Sequence, residues 1–224
     1  MKVEELEVRF NALENQVRTL QTLLDIEEIK KLQRAYGYYL QHWLGREIVD
    51  LFSDGPDVAL EFPSAEGTYV GKESVKRYYE NRFKGGPGFI HQLMQLSPII
   101  DIDPDGKTAR GRWYGFGAVA TQGNNVELSS YMNGTYENEY VKEGGKWKIK
   151  RLSWAGNYSP IPPEDWVMPA ELIASIPKPD IPPTGSRPQY PSGYIFPYHF
   201  KHPVTGKKTS EEKLNASLNI RKGK

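Results

Sequence analysis

The stretch DGKTARGRWYGFGAVAT, residues 105–121, decides the fold of this chain. It begins with Asp105-Gly106, a dipeptide typical of tight β-hairpins, and continues as a long strand over residues 108–121. Its glycines at 111, 115 and 117 permit sharp bending or close approach of a neighbouring backbone. The stretch therefore predicts one long, strongly curved strand that follows a hairpin.

Three further long strands surround this one. Residues 89–102 precede it, with a kink expected at Pro98. Residues 126–141 follow the turn Asn124-Asn125, and residues 146–154 follow the turn Gly144-Gly145. Four long strands joined by tight turns predict an antiparallel sheet.

Helices and two short strands come before this sheet. Helical spacing of apolar residues predicts helices over residues 3–24, 25–43, 46–52 and 72–83, with short strands at 58–62 and 67–70. Asp25 with Glu28 three residues later predicts a capping box at the start of the second helix, and Gly45 predicts its end. This order predicts an α+β fold with helices packed on the concave face of a curved sheet.

A heptad pattern occupies the N-terminus. Apolar residues recur at alternating spacings of four and three, at Leu6, Phe10, Leu13, Val17, Leu20 and Leu24. The pattern predicts a helix buried either in a coiled coil or on the body of a neighbouring subunit. We therefore expect residues 1–24 to be an oligomerisation helix in a homo-oligomer, a trimer or a dimer.

Residues 156–224 have a different composition from the rest of the chain. Of the 17 prolines, 12 lie after residue 155, which excludes continuous helix or sheet there. The segment also holds aromatic side chains that need burial, Trp166, Tyr190, Tyr194, Phe196, Tyr198 and Phe200. We predict an α+β domain over residues 25–155 and an extended C-terminal arm that wraps its own domain or a neighbour.

Composition excludes several classes of function. Lys and Arg total 29 against 28 Asp and Glu, so no charge excess predicts binding to nucleic acid or to an acidic membrane. The absence of cysteine excludes disulfides, thiolate catalysis and cysteine-based metal sites. No apolar run reaches the ~20 residues of a membrane helix, and the charged N-terminus lacks the core of a signal peptide. We expect a cytoplasmic protein.

The sequence predicts neither a metal nor a cofactor. Its four histidines, at 42, 91, 199 and 202, do not form a ligand set with neighbouring carboxylates. It contains no phosphate-binding loop, nucleophile elbow or dinucleotide fingerprint.

Four segments in order resemble the SnoaL-like superfamily, which includes polyketide cyclases, scytalone dehydratase and ketosteroid isomerase. Tyr36 begins a stretch that leads to DLFSD at 50–54, and GTYVGKESV at 67–75 is similar to the family's strand-to-helix joint. His91 stands at the head of the first long strand, where many members place a histidine. GTY at 134–136 and GKWKI at 145–149 are similar to the closing hairpin. The resemblance implies a cone-shaped barrel of a curved, mostly antiparallel sheet packed against three helices.

The chain also departs from the family pattern. Gln41 falls where dehydratase-type members often place a catalytic or orienting Asp, and a glutamine cannot act as a base. This departure counts against a scytalone-type mechanism. The added N-terminal helix, the aromatic arm and the 14 tyrosines make the chain similar to the cofactor-free γ-formaldehyde lyases of lignin-derived diaryl compounds within this superfamily.

Candidate site residues are the polar side chains that helix or strand periodicity directs to one face. His91 is either a proton shuttle or a core histidine bound to a backbone carbonyl. Tyr36, Tyr39 and His42 share a helix face and either form a polar cluster or pack in the core with hydroxyls at the rim.

The strands supply a second set of candidates. Arg112 and Tyr114 share a face opposite Trp113, so Arg112 either stabilises a developing oxyanion or lies on the solvated outer face. Tyr131 and Asn133 share a face of the next strand, and Arg82 ends the third helix. We take His91, Arg112, Tyr39 and Tyr131 as candidate catalytic residues and Tyr36, His42, Tyr114, Asn133, Trp113 and Arg82 as candidate substrate-binding residues. A register slip of one residue would invert the strand assignments.

Three functions remain open at this point. The first is a cofactor-independent lyase that removes formaldehyde or water from a hydrophobic aromatic substrate by acid–base catalysis. The second is a polyketide cyclase or ketosteroid-type isomerase, which needs a carboxylate base. Its candidates, Asp50, Asp54, Asp57, Glu61 and Glu66, are all predicted to lie in loops or rims. The third is a non-catalytic carrier of hydrophobic ligands.

Overall fold

The structure, a computed structural model, describes residues 3–83, 89–123, 126–158 and 178–182. These residues form three helices and seven strands. The helices are α1 (Val3–Gln41), α2 (Gly45–Asp50) and α3 (Lys72–Asn81). The strands are β1 (Ala59–Phe62), β2 (Gly67–Val70), β3 (Ile90–His91), β4 (Met94–Ile102), β5 (Thr108–Gly123), β6 (Val126–Glu143) and β7 (Lys146–Tyr158). The helices pack on one face of the curved sheet, which confirms the predicted α+β cone.

The seven strands form one mixed sheet in the order β2-β1-β7-β6-β5-β3, and β4 also pairs with β5. Every pair is antiparallel except β1 with β7. β3 and β4 lie on the same edge of β5, so together they correspond to the single predicted strand 89–102. The predicted kink at Pro98 is confirmed, because the register shifts between Leu96 and Ile99 and Ser97 has a φ of +49°.

Helix α1 runs without a break through Asp25, so the predicted cap there is wrong. Asp25 is 2% exposed and accepts hydrogen bonds from Lys142 Nζ at 2.6 Å and Trp147 Nε1 at 3.0 Å. Burial alone would raise the pKa of Asp25, but these bonds and one from Gln21 outweigh it and lower the pKa. The carboxylate therefore ties the middle of α1 to the closing hairpin of the sheet.

Helix α1 ends at Gln41, and the turn that closes it is centred on Trp43 rather than on Gly45. Trp43 has a left-handed backbone, with a φ of +53°, a conformation that usually selects glycine. Its amide donates to the Leu40 carbonyl and the Leu44 amide to the Tyr39 carbonyl, each at 3.0 Å, which closes the helix end. This turn directs the buried Trp43 indole into the core, where Nε1 donates to the Tyr79 carbonyl at 2.7 Å. The packing of the indole outweighs a backbone cost of ~1–2 kcal/mol.

A short part of the predicted C-terminal arm is described, and it lies against the edge strand β2 of its own domain. Thr68 and Ile181 exchange two backbone hydrogen bonds, of 2.7 and 3.0 Å. Asp180 accepts from the Val70 amide at 2.9 Å and forms an ion pair with Arg77 at 3.0 Å. The aromatic residues predicted to need burial lie outside the described residues, as do His199 and His202. None of the described helices is both long and apolar enough to cross a membrane.

Candidate active site

The register of β5 and β6 decides which predicted site residues face the helices. Trp113, Tyr136 and Tyr140 face inward and are fully buried. Tyr114 and Tyr131 lie on the opposite face of the sheet, 54% and 58% exposed. The candidate roles of Tyr114 in substrate binding and of Tyr131 in catalysis require inward-facing side chains, and the structure places both on the outer face.

Arg112 and Asn133 also lie on the outer face. Arg112 forms an ion pair with Glu137 on the neighbouring strand at 2.9 Å, a cross-strand contact that stabilises the sheet surface. Asn133 donates to the Gly115 carbonyl at 3.4 Å and accepts from Asn157 Nδ2 at 2.9 Å. The sequence allowed two positions for Arg112, inside the barrel or on the outer face, and the structure places it on the outer face.

Trp113 does face inward, but its polar atom is occupied within the core. Its Nε1 donates to the Tyr140 hydroxyl at 3.0 Å. That hydroxyl donates to Gln33 Oε1 of α1 at 2.8 Å, and Asn138 Nδ2 donates to the same Gln33 oxygen at 3.0 Å. This buried network joins α1 to the sheet and satisfies Trp113 without a ligand.

The helix trio Tyr36, Tyr39 and His42 is not brought together. Tyr36 is buried and its hydroxyl lies 3.1 Å from that of Tyr79. Tyr39 is half-buried against the core, and His42, beyond the last residue of α1, is exposed. Tyr36 alone of the three reaches the interior.

His91 lies inside, between the helices and the sheet edge. Its Nδ1 is buried and has no hydrogen-bond partner among the described residues. Burial, with a smaller contribution from the charge of Arg82, lowers the pKa of His91 from its usual 6.5 to about 3. The imidazole is therefore neutral at physiological pH and can accept a hydrogen bond or a proton.

Arg82 follows the last residue of α3 and is held by two partners. Its Nη1 donates to Glu66 Oε1 at 2.7 Å and also to the Tyr78 hydroxyl, and both members of the ion pair are nearly buried. Burial alone would lower the pKa of Arg82, but Tyr78 and Glu66 beside it raise it, so the guanidinium keeps its charge. Its Nε is buried without a partner among the described residues.

Three aromatic rings contact His91 or Arg82, and that of Phe89 packs against two of them, Trp43 and Phe83. We call the four rings the aromatic box: Trp43, Tyr78, Phe83 and Phe89. The His91 ring lies 5.6 Å from that of Trp43 and 6.2 Å from that of Phe83. The guanidinium carbon of Arg82 lies 5.1 Å from the centre of the Tyr78 ring and 5.0 Å from that of Phe83. Two buried polar atoms without partners thus lie in one apolar enclosure, where an unmet hydrogen bond costs ~1–3 kcal/mol.

A tyrosine cluster continues from the box into the core. Tyr36 contacts Tyr79 through the hydroxyls and packs edge-on against Tyr136 with 6.0 Å between ring centres. Burial raises the pKa of all three phenols well above 10. They are therefore neutral hydrogen-bond donors and not phenolate bases.

Tyr78 and Tyr79 were absent from the sequence-based candidates, and Glu66 was named only as a carboxylate base for a cyclase or an isomerase. Glu66 was predicted to lie in a rim loop, and its turn does lie between β1 and β2, but the side chain points inward to Arg82. Tyr78 and Tyr79 lie on the buried face of α3. Only tertiary contacts distinguish them from ordinary core residues, that of Tyr78 with Arg82 and that of Tyr79 with Tyr36.

The described residues contain no group of three His, Cys, Asp or Glu side chains that could hold a metal ion. The polar atoms of the box are an imidazole, a guanidinium and one carboxylate already bound to that guanidinium. Their chemistry is that of proton transfer and of charge stabilisation.

A cone-shaped α+β fold with an inner acid–base cluster defines the class of this protein, and sequence comparison assigns its family. A family model described as a SnoaL-like domain matches residues 21–153, more than half of the chain. The protein belongs to the SnoaL-like family. No curated protein matches it in sequence.

Solved structures show the same fold. A putative scytalone dehydratase from Novosphingobium aromaticivorans is 19% identical, with a TM-score of 0.54 over 68% of this chain and 97% of that one. A hexachlorocyclohexane dehydrochlorinase from Novosphingobium barchaimii is 17% identical, with a TM-score of 0.54 over 67% of this chain and 99% of that one. A Mycobacterium tuberculosis protein of unknown function is 18% identical, with a TM-score of 0.51 over 70% of this chain and 87% of that one. At these identities the likeness establishes the fold alone.

Proposed function

We propose that this protein is a cofactor-independent lyase that acts by acid–base catalysis on a hydrophobic aromatic small molecule. The observation that carries the proposal is the pair of buried, unpartnered atoms, His91 Nδ1 and Arg82 Nε, inside the aromatic box. A substrate with hydroxyl groups on an aromatic frame satisfies both atoms and packs against the rings. Relatives of this fold named as a dehydratase and a dehydrochlorinase support a lyase.

His91 is the proposed proton carrier. Burial keeps the imidazole neutral at physiological pH by lowering its pKa, and its unpartnered Nδ1 can accept the proton of a substrate hydroxyl while Arg82 stabilises the charge on oxygen. The proton is then returned to the oxygen that leaves.

Arg82 is the proposed electrostatic group. Glu66 and Tyr78 both bind Nη1 of the guanidinium, so the Nε–H is oriented before substrate binds. A preoriented donor in a dry site stabilises an oxygen that gains negative charge, and this is often the largest catalytic contribution.

The reaction that fits these roles best is loss of formaldehyde from a lignin-derived diaryl compound. His91 takes the proton from the hydroxyl of a hydroxymethyl group on the substrate. The hydroxyl oxygen then becomes the carbonyl oxygen of formaldehyde as the carbon–carbon bond to that group breaks. The released electron pair forms a carbon–carbon double bond and expels a hydroxyl or ether oxygen from the adjacent carbon. That oxygen receives the proton, so the reaction is redox-neutral and consumes no cofactor. Simple dehydration uses the same two groups.

The test is an absorbance assay on hydroxylated diaryl compounds, with formaldehyde measured in parallel. We expect a new conjugated chromophore with one formaldehyde per turnover, and a loss of turnover of at least ~100-fold in His91→Gln and in Arg82→Gln. Arg112→Gln on the outer face is the matched arginine control and is expected to keep its turnover. Equal losses in Arg82→Gln and Arg112→Gln would contradict the proposed site.

A second candidate has one observation in its favour. Glu66 is a nearly buried carboxylate, and a polyketide cyclase or ketosteroid-type isomerase uses such a base. In that case the product forms without formaldehyde, and Glu66→Gln abolishes turnover while His91→Gln retains it.

Undiminished binding of the aromatic compounds in both variants, with no turnover in the wild type, would favour the non-catalytic carrier instead.

A further inference from the structure

Within the described part of the chain, the N-terminal half of α1 has an apolar face that nothing covers. Six residues repeat at heptad spacing along this half, and we call them the seam: Leu6, Phe10, Leu13, Val17, Leu20 and Leu24. Each is between 47% and 64% exposed. From Asp25 onward the same helix is packed on the domain body. No described residue of the chain covers this continuous apolar stripe, and a stripe of this kind needs a partner.

The seam points away from its own domain. At ~100° per residue, the seam residues lie within about 40° of Leu24 around the helix axis. The residues that α1 buries against the body lie about 100–180° from Leu24: Asp25, Ile29, Gln33, Tyr36 and Leu40. The body therefore cannot cover the seam, and two chains can join through it with their bodies on opposite sides.

The seam residues match the pattern of a parallel two-stranded coiled coil. Leu6, Leu13 and Leu20 occupy the d positions, and the a positions hold Val3, Phe10, Val17 and Leu24. Leucine fills these d positions and two of the four a positions hold β-branched valine, a combination that favours two parallel strands.

The flanking charges select the same arrangement. Arg9 precedes Phe10 and occupies a g position, and Glu14 follows Leu13 and occupies an e position. In a parallel, in-register pair, each Arg9 faces Glu14 of the second chain, which gives two attractive pairs by symmetry. In the antiparallel arrangement that aligns Leu6 with Leu24, Glu14 faces its own copy, and Arg9 faces Leu23.

The helix does not need to be nucleated by the partner. Three heptads alone are marginal in water, but these heptads continue a helix whose second half is packed in the domain. The seam is therefore presented as a rigid helix, which lowers the entropy cost of association. We propose that two copies of this chain associate through the seam as a parallel, in-register, two-stranded coiled coil.

The chain lacks cysteine, so single introduced thiols report this geometry directly. Leu6→Cys places two thiols opposite each other at a d position, and we expect nearly all chains to be captured as disulfide-linked dimers on mild oxidation. Leu24→Cys is expected to do the same at the other end. Asn15→Cys, on the side of the helix away from the seam, is the control and is expected to remain uncrosslinked.

Each alternative arrangement gives a different pattern and overturns the proposal. In an antiparallel pair, Leu6→Cys does not link to itself, because the two ends lie about 27 Å apart, and links instead to Leu24→Cys. In a three-stranded coil, no more than two thirds of the chains are captured. If the seam packs on the outer sheet face of a neighbouring body, neither Leu6→Cys nor Leu24→Cys links to itself, although the chains still associate as measured by light scattering. A monomer gives no link in any variant.

A charge exchange tests the register independently. Arg9→Glu makes both interchain pairs repulsive, and we expect it to weaken association through the seam by about tenfold. Arg9→Glu combined with Glu14→Arg makes both pairs attractive again and restores association. Failure of the double variant to recover, with its helix content unchanged by circular dichroism, contradicts the parallel register.

Discussion

His91 is a buried base whose protonation opposes folding. Its pKa is about 3 in the folded protein, because burial and the charge of Arg82 disfavour the imidazolium, and near 6.5 in the unfolded chain. Between these two pH values the unfolded state binds the extra proton, so stability falls as the pH falls. The contribution of His91 is fully present above about pH 6.5 and is lost progressively toward pH 3.

We therefore expect His91→Gln to flatten the acid limb of the stability curve. The slope of the unfolding free energy between pH 6.5 and 4 is expected to fall by up to about 1.4 kcal/mol per pH unit. Urea denaturation at a series of pH values measures it. His42→Gln, which changes an exposed histidine, is the control, and an equal change of slope in that variant would contradict this account.

Inward and outward tyrosines are also distinguished at the level of single residues. Tyr79→Phe removes the hydroxyl that lies 3.1 Å from Tyr36 beside the aromatic box, and we expect kcat/KM to fall by about tenfold or more. Tyr131→Phe, on the outer face, is expected to leave kcat/KM within about twofold of the wild type. Steady-state kinetics on the diaryl substrate decides between them, and the reverse order would place the site on the outer face of the sheet.

Helix α1 shows how an element is held by a tertiary contact rather than by a cap. The sequence pattern Asp25 with Glu28 suits a capping box, yet in the structure Asp25 binds Lys142 and Trp147, and Glu28 is exposed. We expect Asp25→Ala to destabilise the domain by about 1–3 kcal/mol, since it leaves Trp147 Nε1 and Lys142 without their acceptor. Glu28→Ala is expected to change stability by less than about 0.5 kcal/mol. Urea unfolding measures both losses. Comparable losses in the two variants would contradict the tertiary role of Asp25 and favour the capping box.

The edge of the sheet is closed by residues 178–182 of the arm. Gly67 has a φ of +101°, and a Cβ there would lie 2.2 Å from the Ile181 carbonyl oxygen. Gly67→Ala is therefore expected to displace the arm and to speed hydrogen exchange of the Thr68 and Val70 amides, which donate to Ile181 and Asp180. Gly71→Ala is the matched control, since Gly71 has a φ of +82° but nothing within 4 Å of a Cβ. It should impose the same backbone strain and leave both amides protected.

Asp180 makes the same contact sensitive to pH. Burial raises the pKa of its carboxyl, but hydrogen bonds from Ser74, Val70 and Arg77 outweigh this and lower the pKa. The stabilisation is thus present above the ordinary pKa of an aspartate and is lost as the pH falls through the lowered value.

At the scale of the whole molecule, the α+β cone could be predicted because its information is local. Hairpin dipeptides such as Asp105-Gly106, strand periodicity and helix periodicity each constrain a few neighbouring residues, and their order leaves few topologies. The heptad seam is also local, and its exposure follows from the continuous helix. The N-terminal oligomerisation helix, the domain over residues 25–155 and the homo-oligomer remain predictions.

The composition of the site could not be predicted, because it depends on contacts between distant segments. Arg82 was a candidate because of its place at a helix end. Its partner Glu66 comes from the loop between β1 and β2, and the sequence does not show that the two side chains meet. The face of Arg112 depends on a strand register that a shift of one residue would invert. The left-handed turn at Trp43 that closes α1 departs from local preference because the indole gains a buried partner in Tyr79.

The sequence by itself thus determined the class of fold, the seam and the placement of His91 at the start of the first long strand, since each rests on periodicity or turn chemistry. Only the tertiary structure decided that His91 and Arg82 share one aromatic box, that four other candidates lie on the outer face, and that Asp25 holds the helix to the sheet. The physical reason is that burial and hydrogen bonding between distant segments outweigh local preferences of ~1 kcal/mol.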